Sequence, residues 1–321
     1  MSKKRSHTQL LSILAVAVVL SLVLYMTINT RGNWAFAFML RRKRLIPFIL
    51  TGVTTTVATI VFQTMTQNTI LTPSIIGLDS LYVLLQTAVI FFLSTTHTLS
   101  THDTLNFIVS LLLMIGASAL LYTLFFKRYP GRLGLMLMVG LIMGTFFSSV
   151  TTFLQVLIDP NEFDSVFART VASFSNVDAS LTILSLVISV PILISLFSET
   201  SRLDVLHLGR AYAMGLGIHV DRYYLYLFML ISILTAVSTA MVGPVSFLGF
   251  IGANVSYKLF NTYKHSVLFI GGSLLSILLI VSGQLVVEHV FRLRTTLGVI
   301  IQFVGGIYFL FILMKERSMH P

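Results

Sequence analysis

The sequence predicts an all-α polytopic membrane protein with about ten membrane-spanning helices. Hydrophobic residues make up 56% of the 321 and charged residues only 10%, too few to coat a soluble domain of that size. Apolar runs of 18 to 25 residues recur from Leu10 to Met314, each long enough to cross the ~30 Å hydrocarbon core as a helix. Only 11 residues are acidic, and of these only Asp79 and Glu288 fall within the runs, each near a run's end.

The first span is expected at about 9–28. Lys3, Lys4 and Arg5 before it resemble the start of a signal peptide. The run, however, ends in Thr27-Ile28-Asn29-Thr30 with no small-residue cleavage site, so it reads as a retained span. A cationic stretch, Arg41 to Arg44, precedes the second span at 47–66. Further spans are expected at 75–95, 104–126, 133–158, 181–198 and 223–242. The eighth, 246–259, is too short to cross alone and follows Gly243-Pro244, which breaks the preceding helix. Part of that crossing must be non-helical, and such backbone survives at membrane depth only when packed in protein or lining a cavity. Spans at 266–290 and 297–314 complete the set, and the chain reads as one transmembrane domain over 1–321.

Ten crossings put both termini on one side. With the N-terminus inside, 13 of the 21 Lys and Arg lie in inner segments, as the positive-inside rule requires. Six of the other eight form two outer clusters, 41–44 and 292–294, each just before a span. They serve either as headgroup anchors or in some other task at the outer face. A net charge of +10 could suggest nucleic acid, but its placement in loops assigns it to topology. The largest inner loop, about 199–222, allows two short amphipathic helices, the second ended by Gly215 and Gly217. Such helices lie on the membrane or dock into a partner's groove.

Several chemistries are excluded. The chain has no cysteine, hence no disulfide, thiol catalysis or Cys-based metal site. It lacks a Gly-x-x-x-x-Gly-Lys-Ser/Thr phosphate loop and a His-Glu-x-x-His zinc motif. Its eight histidines lie mostly in loops or termini. No catalytic residue, metal ligand or cofactor is expected. Ion-coupled carriers usually keep ionisable groups at mid-membrane, so their scarcity argues against a secondary transporter, which stands as the alternative. A transport-type bundle without its own energy source points to energy supplied by a partner.

Ordered motifs then carry a resemblance. Arg41-x-x-Arg44 is followed by Gly52, Gln63, Asn68, Pro73 and Gly77. Leu208-Gly209, Ala213 and Leu216-Gly217 fall in the inner loop, and Gly243-Pro244-x-x-Phe247-x-Gly249 follows the seventh span. Over nearly its whole length the chain resembles the permease subunits of iron–siderophore and vitamin B12 ABC importers. It departs from their pattern at Thr69, where Pro is usual, at Ala253-Asn254 in place of Pro-His, at Thr295-Thr296-Leu297-Gly298 in place of Leu-Pro-x-Gly, and at Gly305-Gly306-Ile307 in place of Gly-x-Pro. The segments 72–80 and 159–163 are similar to the branch handling catecholate siderophores.

The resemblance implies a bacterial cell-membrane subunit with cytoplasmic termini. Its implied partners are a second permease, identical or homologous, a cytoplasmic ABC ATPase dimer and an extracytoplasmic siderophore-binding protein, with a ferric siderophore as cargo. It implies that Arg41 and Arg44, with Arg292 and Arg294 from the second outer cluster, receive binding-protein carboxylates, for which the planar guanidinium is suited. It implies that Leu206, Leu208, Gly209, Ala213, Leu216 and Gly217 form the ATPase coupling element, with Gly209 allowing close backbone approach. The pathway is expected along the fifth span, with Met136, Met138, Met143 and Gln155, beside Gly243, Pro244 and Phe247. Gly140-x-x-x-Gly144 permits close helix contact. Gln63 and Gln284 are expected in interhelical hydrogen bonds.

Overall fold

The computed structural model describes residues 6–29, 34–94, 97–123, 133–175 and 177–317. Lys3, Lys4, Arg5, Arg31, Lys127, Arg128 and Arg132, and the side chain of Met136, lie outside what is described. In chain order the helices are α1 (His7–Thr27), α2 (Trp34–Thr66), a 3-10 turn (Pro73–Ile76), α3 (Leu78–Leu93), α4 (Thr98–Thr101), α5 (Asp103–Leu121), α6 (Leu133–Leu157) and α7 (Pro160–Thr170). They continue as α8 (Ala179–Ser198), α9 (Thr200–Leu206), α10 (Arg210–Gly215), α11 (Val220–Val242), α12 (Ser246–Phe260), α13 (His265–His289) and α14 (Leu297–Arg317).

Among the described residues, eight helices are long and apolar enough to cross a membrane: α1, α2, α5, α6, α8, α11, α13 and α14. The other two expected crossings coincide with shorter helices, α3 of 16 residues and α12 of 15. α2, α11 and α13 are the most buried of the long helices, while α1, α6, α8 and α14 turn most of their apolar surface outward. This is how a bundle sorts itself in lipid: the outer helices satisfy their own backbone and show Leu, Ile, Val and Phe to the acyl chains.

Small residues set how closely the central helices pack. A Cβ on Gly52 of α2 would sit 2.8 Å from the Ile277 side chain on α13. One on Gly249 of α12 would sit 2.5 Å from the Thr55 carbonyl oxygen of α2. Between these contacts the Thr56 and Ser276 hydroxyls meet at 2.6 Å. Without a hydrophobic driving force between helices in lipid, such close approach and hydrogen bonding supply the association energy.

Two elements differ from expectation. α2 begins at Trp34, so the cationic stretch 41–44 is a helical extension of the span rather than a loop before it. Pro47 lies inside that helix and removes one backbone bond, a tolerable loss near the membrane boundary. The segment 159–171 holds an unexpected helix, α7, capped by Asp159 with Pro160 in its first turn.

The short eighth crossing is as the Gly-Pro break requires. Gly243, Pro244 and Val245 are non-helical and buried. Gly243 has φ +90°, and a Cβ there would meet the Ala172 backbone at 2.7 Å, so only glycine fits this corner.

Candidate functional site

Two polar clusters close the opposite ends of the α2–α13 pair. At one end, Arg44 Nη1 donates to Glu288 Oε1 at 2.7 Å and to the Tyr25 hydroxyl at 3.2 Å, while Nη2 donates to the Ser175 carbonyl at 3.3 Å. Arg41 Nη1 donates to the carbonyls of Tyr25 (2.7 Å) and Ile28 (2.8 Å), taking up oxygens that the last turn of α1 leaves open. Its Nη2 lies 3.8 Å from Glu288 Oε2. Gln284 Nε2 also donates to Glu288, within α13.

The side chains of Arg41 and Arg44 are 12% and 20% exposed. They are therefore committed to the chain's own carbonyls and carboxylate, which the spacing Arg-x-x-Arg cannot reveal. Arg42, Lys43, Arg292 and Arg294 are exposed on this same face. Asp178, the N-cap of α8, is a nearby acid. The Ser180 hydroxyl and backbone N–H point at it and hold its carboxyl below the usual range.

At the other end lies the loop 199–222. It folds into α9 and α10, joined at Gly209, whose φ of +103° turns the chain between them. Among the described residues, a Cβ on Gly209 would meet nothing within 4 Å. Leu203, Leu206 and Ala213 are fully buried against α2, α11 and α13. Leu208 (58% exposed), Tyr212, Met214 and Leu216 (65%) face outward. Leu206 and Ala213, both expected in the coupling element, thus anchor the loop to its own bundle. The exposed apolar face is made by Leu208, Tyr212, Met214 and Leu216.

Polar bonds fix the loop from both sides. Asp204 Oδ1 accepts the backbone N–H of His265 at 2.8 Å and its ring Nδ1–H at 2.6 Å. On the far side of that ring, Nε2 meets the Thr64 hydroxyl at 2.7 Å. Gln67 Nε2 donates to the Leu206 carbonyl at 3.1 Å. Arg210 Nη2 contacts both Asp221 oxygens, at 3.0 and 3.1 Å, tying α10 to the start of α11.

The interior holds a third polar centre. Asp79 Oδ2 accepts from the Ser246 hydroxyl at 2.6 Å, and Ser74 and Thr239 also hydrogen-bond to Asp79. With Thr55, Thr59 and Gly249 they line a cavity of about 20 Å³, room for one water. Thr55 and Thr59 lie roughly 16 to 22 Å along α2 from Arg44. Asp79 is therefore at a helix end but at mid-depth, because α3 and α12 both begin inside the bundle. Sequence alone placed it near a membrane boundary.

Of the expected pathway residues, Met143 and Gln155 are half-buried on α6, and Met138 is exposed there. Gly144 packs on Gly77, a Cβ on which would come within 2.8 Å of Gly144 Cα, and Ser148 donates to Ser80 at 3.2 Å. Gly243 and Pro244 are buried, and Phe247 packs between α12 and α14 on Gly305. The structure links α6 with the 243–249 segment through the start of α3, where Ser80 touches one and Asp79 the other. Gln63 does not bond across helices as expected. Its Nε2 donates to the Thr69 carbonyl at 2.5 Å, and Asn254 Nδ2 donates to the same oxygen at 2.9 Å. Two departures from the family pattern, Thr69 and Asn254, are thus in contact. Among the described residues, no three His, Asp or Glu converge as metal ligands.

Comparison with known proteins agrees along the whole bundle. The family model described as the FecCD transport family matches residues 7–315. The chain is 44% identical over 287 residues to the petrobactin import system permease protein YclO of Bacillus subtilis, covering 89% of this chain and 91% of that one. It is 34% identical over 277 residues to the petrobactin import system permease protein FatC of Bacillus anthracis, covering 86% and 78%. In fold it matches a solved metal-chelate type ABC transporter in an inward-facing conformation, with a TM-score of 0.84 at 20% identity, covering 97% of this chain and all of that one.

Proposed function

The chain belongs to the FecCD transport family, and from that premise we propose that it is the membrane permease subunit of an ABC importer for a ferric siderophore of the catecholate type. Petrobactin is the first cargo to test, since it names the systems of both relatives above. A separate ATPase supplies the energy, and a substrate-binding protein delivers the cargo. We read residues 1–321 as one permease domain with cytoplasmic termini, paired with a second permease, identical or homologous.

One observation supports this most directly: the two-sided construction of loop 199–222. One side is locked into the bundle by Leu203, Leu206, Ala213 and Asp204. The other offers Leu208, Tyr212, Met214 and Leu216 to a partner. An apolar surface mounted on a rigid base suits a lever that another protein pushes. Gly209 and Gly217 shape its turns.

On the opposite face, Arg292 and Arg294 are the cations best placed to receive acidic lobes of a binding protein, with Arg42 and Lys43 beside them. Arg41 and Arg44 contribute there by holding α1, α2 and α13 in register. Exposed pairs of this kind are worth only ~0.2–1 kcal/mol each, so they govern encounter and orientation more than affinity. Cargo passes along α6, with Met143 and Gln155 on the route and the Gly243–Phe247 segment supporting it.

The test is a site-directed crosslink. Cysteine at His207 or Tyr212, both exposed, should crosslink to the co-expressed ATPase. Failure across the whole loop in an assembled complex would refute docking there.

A further inference from the structure

We infer that Asp204, His265 and Thr64 form a clasp through which the loop 199–222 moves α2 and α13 as one body, carrying the state of the ATPase to the opposite, cationic face. The inference rests on the docking proposed above and adds the route by which the two faces communicate.

Three observations converge on it. First, the clasp spans three elements. Asp204 stands on α9, His265 opens α13, and Thr64 lies in the last turn of α2. A single imidazole, 1% exposed, bonds both neighbours through its two nitrogens. Because the ring is closed off from solvent, displacing Asp204 would leave a polar nitrogen unpaired, at full desolvation cost. The loop and the two helix ends therefore move together or break an expensive bond. Gln67 adds a parallel tie by bonding both the Thr64 carbonyl (2.7 Å) and the Leu206 carbonyl (3.1 Å).

Second, α2 and α13 are fused along their length. Gly52 seats Ile277, Thr56 bonds Ser276, and a Cβ on Gly272 would meet Thr56 at 2.8 Å. A pair packed this closely transmits displacement rather than absorbing it.

Third, the same two helices end in the Arg44–Glu288 bond, 2.7 Å long and largely buried. Roughly 30 Å of helix separates Thr64 from Arg44. Glu288 also draws in Tyr25 and Arg41, hence α1. Arg292 and Arg294 follow three and five residues after the end of α13, so a shift of α13 repositions the exposed cations. Asp204, His265 and Thr64 are positioning residues in this scheme, touching neither nucleotide nor cargo.

The experiment uses the assembled permease–ATPase complex in lipid nanodiscs. Affinity for the binding protein is measured with and without a non-hydrolysable ATP analogue. In the unaltered complex the nucleotide should change that affinity about 10-fold, within the usual range of coupling between sites. Asp204→Ala and Thr64→Val should each reduce the change to about 2-fold or less, with affinity in the nucleotide-free state retained. Asp204→Asn keeps an oxygen for the two N–H donors and should restore most of the effect. Arg202→Ala, on the same helix but outside the clasp, should leave it unchanged. A purely structural role predicts equal loss of binding in both nucleotide states. That outcome, or a full nucleotide effect in Thr64→Val and Asp204→Ala, overturns the inference. If the unaltered complex lacks any nucleotide effect while the ATPase crosslinks to the loop, the clasp fails and the docking stands. If the crosslink is absent as well, the docking fails too.

Discussion

Arg44 and Glu288, 244 positions apart in sequence, meet at 2.7 Å where the cationic ends of α2 and α13 come together. Their side chains are 20% and 11% exposed, and Tyr25 and Gln284 complete the network. Removing one partner of such a pair strands the other in a site poor in water. Glu288→Gln should therefore lower stability by about 1–3 kcal/mol, read as a lower denaturation midpoint in detergent. Arg44→Glu, which adds repulsion, should cost more and impair assembly. Unchanged midpoints would show that the network does not hold the helices.

The exposed cations should behave differently. Arg292→Glu with Arg294→Glu should leave the midpoint unchanged but slow association with the binding protein about 10-fold at low salt. Raising ionic strength shortens the Debye length to about 3 Å at 1 M and should erase most of the difference. Stopped-flow association across a salt series reads this directly. A salt-independent defect would point to misfolding rather than lost steering.

Within the loop 199–222 the two faces should separate cleanly. Leu208→Glu and Leu216→Glu alter exposed side chains. They should abolish ATPase co-purification while the permease keeps its elution profile and melting behaviour. Leu206→Ala empties a fully buried site and should instead destabilise the permease by about 2–5 kcal/mol. Equal effects from the two classes would contradict the orientation of α9 and α10.

Packing at α12 offers a glycine pair with opposite expectations. Gly249→Ala would bring a methyl within 2.5 Å of the Thr55 carbonyl oxygen and crowd the Thr59 hydroxyl. Backbone must shift, at about 1–3 kcal/mol. At Gly306, in α14, a Cβ meets nothing within 4 Å, and Gly306→Ala should be neutral or slightly stabilising. Comparing the two melting curves checks the α2–α12 contact.

Much of this arrangement was legible in the sequence, because hydropathy reports directly on burial in lipid. Eight of the ten expected crossings are helices long and apolar enough to span a membrane, and the break before the short α12 is where Gly243-Pro244 announces it. Hydropathy could not show that α2 starts at Trp34, since Arg41 to Arg44 end an apolar window without ending a helix. Nor could it show depth: Asp79 begins a helix, and only three-dimensional packing reveals that the helix begins mid-bundle. The partners of Arg41, Arg44 and His265 come from contacts across 13 to 247 positions, which no local pattern encodes. Leu206 and Leu208 differ by two positions and face opposite ways. The short α9 ends between them, so helical periodicity across the break misassigns one.

The most direct measurement is uptake of ferric petrobactin by proteoliposomes holding this chain with its ATPase, second permease and binding protein. Expected is accumulation that requires ATP and the binding protein, and that stops when the ATPase is made hydrolysis-deficient. Accumulation that continues with the inactive ATPase and collapses with the proton gradient would contradict a permease driven by a separate motor.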